Sequence, residues 1–457
     1  MDEPYRGLDH TGTPAKPPLA EDLPANSGDG RRDRAKPNYD GRPAGRPSAE
    51  NVLVWIPRGA LYPAHLVLEY GVRRPLVGGV TLAEKHHVFQ RVYEFLTFDD
   101  GKAGIFPTAF FDSGRGFWGG ALFFYNDIGN SGHSLAVSGG YGTSDWYSVI
   151  ARDSFRVFRN DGGLVTLSGG YANEPNLAFT GIGPDTHQLD ERYFAQRQGR
   201  VDLALRASLG YGLSYVEIAA GYANTKILSG QVPSVDEPGS PFVVQGGASA
   251  VPGFGQQHQL LSFATAIAID SRSPARDFTP GSGLRAEVFG SLSVDPADRG
   301  LSYGRFGAVA AAFWDISGIN HVLGARVYFE MLEAIGNDAL PATSLITLGG
   351  ERYLRGFVSG RFRGESALVF SANYRYPVWT FLDGELFASL GNVFDKRFRQ
   401  ATLSKMTMSW GVGLRTNTSR QTSIDLLVAF GTNQLRDWDD DFDVDNVRVV
   451  LGASHGF

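Results

Sequence analysis

No stretch of this 457-residue chain approaches the roughly 20 consecutive apolar residues of a membrane-spanning helix, so a helical membrane protein is excluded. From about Ile105 to Phe457 another pattern takes over. Segments of roughly ten residues alternate apolar and polar side chains between turn residues, as strands do when one face meets lipid and the other a polar lumen. About sixteen such segments run from 107–113 and 117–126 to 422–433 and 446–457. In the last of them Val447, Val449, Leu451, Ala453, His455 and Phe457 share the face expected to meet lipid; Arg448, Gly452, Ser454 and Gly456 share the other. In the one before, Ile424, Leu426, Val428 and Phe430 alternate with inward Ser423 and Asp425. The expected fold is all-β and transmembrane: a 16-stranded antiparallel outer-membrane barrel with both ends on the periplasmic side. A soluble sandwich would need core-sized apolar runs, which the chain lacks.

A mean hydropathy of -0.16 beside 58 Gly, 31 Phe and 18 Tyr suits such a barrel, because half of each strand's side chains face a polar lumen. A net charge of -6 and a pI near 5.9 argue against a nucleic-acid partner, which calls for a basic stripe. The absence of cysteine removes disulfides, thiol catalysis and thiolate metal sites together. The opening Met1-Asp2-Glu3-Pro4 has no basic region followed by an apolar one; the expectation is a signal peptide removed and replaced by a start Met.

Three regions follow. Residues 1–50 hold eight of the 23 prolines and only two aromatics, Tyr5 and Tyr39, so they are expected to form a disordered periplasmic tail. Residues 51–103 change character. Leu66, Val67, Tyr70 and Val72 suggest a short amphipathic helix that stops before Pro75, and Thr81 with Glu84 forms a capping box ahead of Val88, Val92, Phe95 and Leu96. This helical element is expected to plug the barrel or cap it from the periplasm, with the membrane interface as the alternative. Residues 104–457 make the barrel.

Counting back from a periplasmic terminus, the loop between the eleventh and twelfth strands is extracellular. It carries Gly349-Gly350-Glu351-Arg352-Tyr353 followed by Leu354-Arg355-Gly356-Phe357. This sequence resembles the BamA/TamA superfamily of assembly and translocation barrels, in which an apolar-Arg-Gly-aromatic tetrapeptide tips a loop folded back into the lumen. The resemblance covers the barrel region and extends to the C-terminal assembly signal, here Gly452, His455 and Phe457. It implies that the loop arginine is held by acids on the twelfth and thirteenth strands. The matching stretches are Asn373-Tyr374-Arg375-Tyr376-Pro377 and Phe387-Ala388-Ser389-Leu390-Gly391. Alternation puts Asn373, Arg375, Phe387, Ser389 and Gly391 on the lumen face, but Asn373 and Ser389 stand where acids are expected. Arg355 then needs another counter-charge, with Glu351, Glu365 and Glu385 as candidates. Residues 51–103 are too few and too helical for a POTRA domain, so the chain resembles the branch lacking them. Phe179-Thr180-Gly181-Ile182-Gly183-Pro184-Asp185-Thr186 and Trp55-Ile56-Pro57-Arg58 fit that branch.

Other constellations point to no chemistry. Gly132-His133-Ser134-Leu135-Ala136 looks like a nucleophile elbow, but a β-pattern follows it where an elbow needs a helix. His86 and His87 are adjacent and point apart on a helix. Asp441, Asp443 and Asp445 have calcium-ligand spacing without the EF-hand glycine and glutamate. No catalytic residue, metal or cofactor is expected. The expected function is handling of polypeptide or lipid through the lumen or a seam between the first and last strands. A passive diffusion pore is the alternative. Outer-membrane lipid and lipopolysaccharide are the expected surroundings, and the state, monomer or homodimer, is left open.

Overall fold

The computed structural model describes residues 88–157, 162–186, 192–230, 251–272, 282–297, 300–315, 322–336, 339–379, 382–416, 423–438 and 442–454. The expected tail at 1–50, the first helix, the capping box, His86, His87, Asp441, His455 and Phe457 lie outside them. Sixteen strands close into one antiparallel ring. They are β1 Ala103–Asp112, β2 Gly116–Tyr125, β3 His133–Gly142, β4 Tyr147–Arg156, β5 Gly163–Phe179, β6 Arg192–Ser208, β7 Tyr215–Ser229 and β8 Gln257–Asp270. The ring continues with β9 Gly283–Val294, β10 Tyr303–Asp315, β11 Val322–Ala334, β12 Ser366–Trp379, β13 Leu382–Phe394, β14 Thr407–Thr416, β15 Ser423–Gln434 and β16 Asn446–Ser454. Each strand pairs with its neighbour in sequence, and β16 returns to β1.

The period of two sorts the side chains. On β8, Leu261, Phe263, Ile267 and Ile269 are exposed on the outer face, whereas His258 and Ala268 are buried inside. On β16, Val447 and Leu451 point out while Arg448 and Val450 are buried. β7, β11 and β13 end, and β8, β12 and β14 begin, at the end of the ring opposite the start of β1 and the end of β16, which is the extracellular end in such barrels. A barrel this wide is not filled by its own wall. The largest buried apolar cluster instead forms where Leu348, Leu354, Phe357 and Phe362 of the loop between β11 and β12 pack on Tyr328, Leu332, Val369 and Val393 of the wall.

Ahead of the barrel, α1 (Val88–Leu96) spans Val88, Val92, Phe95 and Leu96, the periodic residues of the second expected helix. Asp99, Asp100 and Gly101 take left-handed backbone angles, Lys102 N donates to the Asp99 carbonyl at 2.9 Å, and Thr97–Phe98 folds back onto Ala103–Gly104 as a short hairpin. The described face of α1 is open: Phe95 is 87% exposed, and Tyr93 lies 6.3 Å from Phe106 on β1, centroid to centroid.

Candidate functional site

The loop at 335–365 turns into the lumen as a two-stranded hairpin, Ile346–Leu348 against Phe362–Gly364. Gly349 and Gly350 have φ of 99° and 90°, and their N–H groups donate to the carbonyls of Tyr353 (3.1 Å) and Phe357 (2.9 Å). Phe357 N closes the tip on the Leu354 carbonyl at 3.0 Å. Leu354 itself has φ of 53°, a conformation that costs a non-glycine residue about 1–2 kcal/mol. Its complete burial in the cluster offsets that strain.

The tip is fastened to four consecutive strands. Arg355 Nη1 donates to Glu385 Oε2 on β13 at 2.9 Å, and the guanidinium lies 4.3 Å from the centroid of Phe387. Gly356 N donates to Ser409 Oγ on β14 at 2.7 Å. Its Cα rests on the β15 backbone, where a Cβ would fall 2.1 Å from the Phe430 carbonyl oxygen, so only glycine fits. Phe357 lies over Gly431 of β15 and meets Phe362 edge to face at 4.9 Å. On β16, Arg448 Nη1 donates to the Arg355 carbonyl at 3.3 Å. The same guanidinium pairs with Asp112 of β1 at 2.7 Å, with both side chains at most 3% exposed. One buried arginine therefore joins the loop tip, the last strand and the first.

The residues picked out in the sequence divide as follows. Gly349, Gly350, Leu354, Arg355, Gly356 and Phe357 form the tip, whereas Glu351 is exposed. Asn373, Arg375, Phe387, Ser389 and Gly391 share the lumen face. Asn373 and Ser389 do not hold Arg355 directly: Asn373 Nδ2 lies 3.5 Å from Glu385 Oε1, and Ser389 donates to Ser371 at 3.0 Å. The counter-charge is Glu385, two inward positions below Ser389, where the register sets it opposite Arg375. Gly452 lies against Phe110 across the seam. His133 points outward to Asp153 at 3.0 Å, away from the inward Ser134.

A second set of contacts, not foreseen from sequence, lies at the extracellular end. Residues 180–186 after β5 lie against the inward loop. Arg361 donates to the hydroxyls of Thr180 (2.7 Å) and Thr186 (3.0 Å), and Gly183 N to the Arg363 carbonyl (2.8 Å). Arg363 is fully enclosed over Phe194 and donates to the carbonyls of Ala342 and Ala178. Burial pulls its pKa down to about 10, so it stays charged at neutral pH. Lys405 and Arg436 hold Asp185 at 2.6 and 3.0 Å and keep its carboxyl below the usual range. The stretch 179–186 stands out in the sequence, but nothing there marks its pairing with the loop arginines.

The Omp85 superfamily domain matches residues 166–452. No curated protein matches by sequence. Among solved structures, BamA from Haemophilus ducreyi lacking POTRA domains 1–3 aligns with a TM-score of 0.53 at 14% identity, over 77% of this chain and 70% of that one. CdiB from Acinetobacter baumannii aligns with a TM-score of 0.49 at 9% identity, over 78% and 60% of the two chains. The first likeness matches the barrel described above. By its family match this chain belongs to the Omp85 superfamily of outer-membrane barrels.

Proposed function

We propose that this protein moves polypeptide into or across the outer membrane through a route it keeps closed at rest, using the junction between β1 and β16. The observation that carries this reading is Arg448, which bonds to the Arg355 carbonyl and the Asp112 carboxylate at once. A displacement of the loop tip withdraws one partner from the residue that clasps the seam, so loop position and seam closure are coupled. In this reading the N-terminal element, whose helix α1 leads into the periplasmic end of β1, serves as a cap or plug. Catalysis forms no part of it.

Charged pairs lining the periplasmic half, Arg206–Glu217 (2.7 Å) and Arg285–Glu287 (2.6 Å), favour a second reading, a passive diffusion pore. The inward loop and residues 180–186 weigh against it, since both occupy the extracellular half.

The test uses a cysteine pair, Phe111→Cys with Leu451→Cys, at a register pair across the seam in a chain with no other thiol. Purified protein in phosphatidylcholine vesicles should speed insertion of a urea-denatured eight-stranded barrel, the oxidised pair should abolish the gain, and reduction should restore it. Equal insertion by the locked and reduced forms would overturn the seam route.

A further inference from the structure

Among the described residues, Arg197 on β6 and Lys226 on β7 are the only lysine or arginine at outward positions of the strands. Arg197 falls in step with exposed Val201 and Leu203, and Lys226 with exposed Ile218 and Tyr222. The register sets the two cations directly opposite each other. Like charges so placed have Cβ atoms about 5 Å apart and repel. Neither meets a carboxylate among the described residues. Arg197 Nε donates to Asn173 Oδ1 at 3.1 Å, and Asn173 Nδ2 donates to the Asp145 carbonyl at 2.7 Å, while the Asp145 carboxylate goes to the Tyr141 hydroxyl.

Their height in the membrane follows from the strands. From Arg197 down to Ala207, near the periplasmic end of β6, ten residues at about 3.3 Å each and a tilt of about 40° rise about 25 Å, the height of the apolar band of such barrels. Lys226 stands as far above Val216. The pair therefore lies where acyl chains give way to headgroups in the outer leaflet. The aromatic border agrees: Tyr147 and Tyr171 stack at 6.1 Å between centroids, and the half-exposed Tyr171 lies over Gly199, one outward position below Arg197.

We infer that Arg197 and Lys226 bind a phosphate monoester on a glycolipid of the outer leaflet, the phosphate of lipid A. A monoester carries about −1.5 to −2 at neutral pH and so answers two opposed cations, whereas the phosphodiester of a glycerophospholipid carries a single charge. Asn173 holds Arg197 by Nε and leaves its Nη groups for the phosphate oxygens. Gln257, the register partner of Lys226, donates to Asn224 Oδ1 at 2.9 Å, and this amide pair offers polar atoms to the sugar hydroxyls. The site stands apart from the lumen and the seam, so it holds whichever transport route the barrel uses.

Native mass spectrometry of the full chain in detergent, titrated with bisphosphorylated lipid A, dephosphorylated lipid A and phosphatidylglycerol, tests it. The wild type should bind the bisphosphorylated form about tenfold more tightly than either of the others, and excess inorganic phosphate should leave it bound. Arg197→Gln and Lys226→Gln should each weaken that binding about tenfold. Arg200→Gln, which removes a cation from the lumen face of the same strand, should leave it unchanged. Equal binding of phosphorylated and dephosphorylated lipid A by the wild type would overturn the site without recourse to any variant. Phosphatidylglycerol bound as tightly as lipid A, or lipid A displaced by inorganic phosphate, would overturn the glycolipid monoester as its occupant. Unchanged lipid A binding by a folded Arg197→Gln, Lys226→Gln double variant would overturn the assignment to these two residues.

Discussion

Arg355 carries a cation into a lumen wall where the two positions expected to hold acids, Asn373 and Ser389, are neutral. Glu385 supplies the charge from lower on β13. Glu385→Gln keeps the shape and a weaker hydrogen bond, and should cost about 1–3 kcal/mol as the loss of a charged acceptor. Thermal unfolding in detergent would read that as a lower midpoint; an unchanged midpoint would mean that the pair is idle. Arg448 and Asp112 are more deeply enclosed. Asp112→Asn leaves a buried cation without its partner and should destabilise by about 3–5 kcal/mol in denaturant titrations. Replacing both, with Arg448→Met and Asp112→Leu, should recover most of that loss, because an apolar pair carries no desolvation cost. It should not recover insertion activity, since the bond to the Arg355 carbonyl is gone. At this scale the sequence was legible by parity alone. Alternation placed Asn373, Phe387 and Ser389 on the lumen face, and the need for a counter-charge narrowed the candidates to Glu351, Glu365 and Glu385. Choosing among them required the register that sets β13 against the loop, which no spacing in the chain reveals.

The strands were read well because one physical rule, lipid outside and polar lumen inside, acts on every one of them. Expected segments 117–126 and 422–433 fall within one residue of β2 and β15 at each end. Elements without that rule were harder. Residues 97–103, within the stretch read as a helical element but past its last periodic residue Leu96, form a hairpin about the left-handed turn at Asp99, Asp100 and Gly101. The lock between residues 180–186 and the inward loop joins segments about 180 positions apart, as in Thr180 with Arg361, and left no local trace. Two outcomes belong to these loops. Gly356→Ala drives a methyl into the Phe430 carbonyl and should undock the tip at a cost of about 1–3 kcal/mol, seen as rapid protease cleavage within 349–361 while the barrel itself resists. Asp185 has a carboxyl held below its ordinary 3.8 by Lys405 and then Arg436. A depressed pKa contributes stability that is fully present above the ordinary value and is lost as pH falls through the folded one. The mouth lock should therefore be constant from pH 8 to about 5 and loosen only below about 4, in protease sensitivity of residues 180–186. Loosening near neutral pH would contradict the role assigned to Asp185.

For the whole molecule, closure is the property that separates an assembly or translocation barrel from a pore. The wall leaves a lumen with charged pairs in its periplasmic half, while the inward loop and residues 180–186 meet in the extracellular half. The seam is clasped from inside by the same arginine that touches the loop tip. The most direct measurement is single-channel conductance in a planar bilayer, comparing the wild type with Arg355→Ala. A nearly closed wild type, with stepwise openings that become frequent in Arg355→Ala, is the expected result. A large steady conductance in the wild type, or an Arg355→Ala barrel as quiet as its parent, would contradict a lumen closed by this loop.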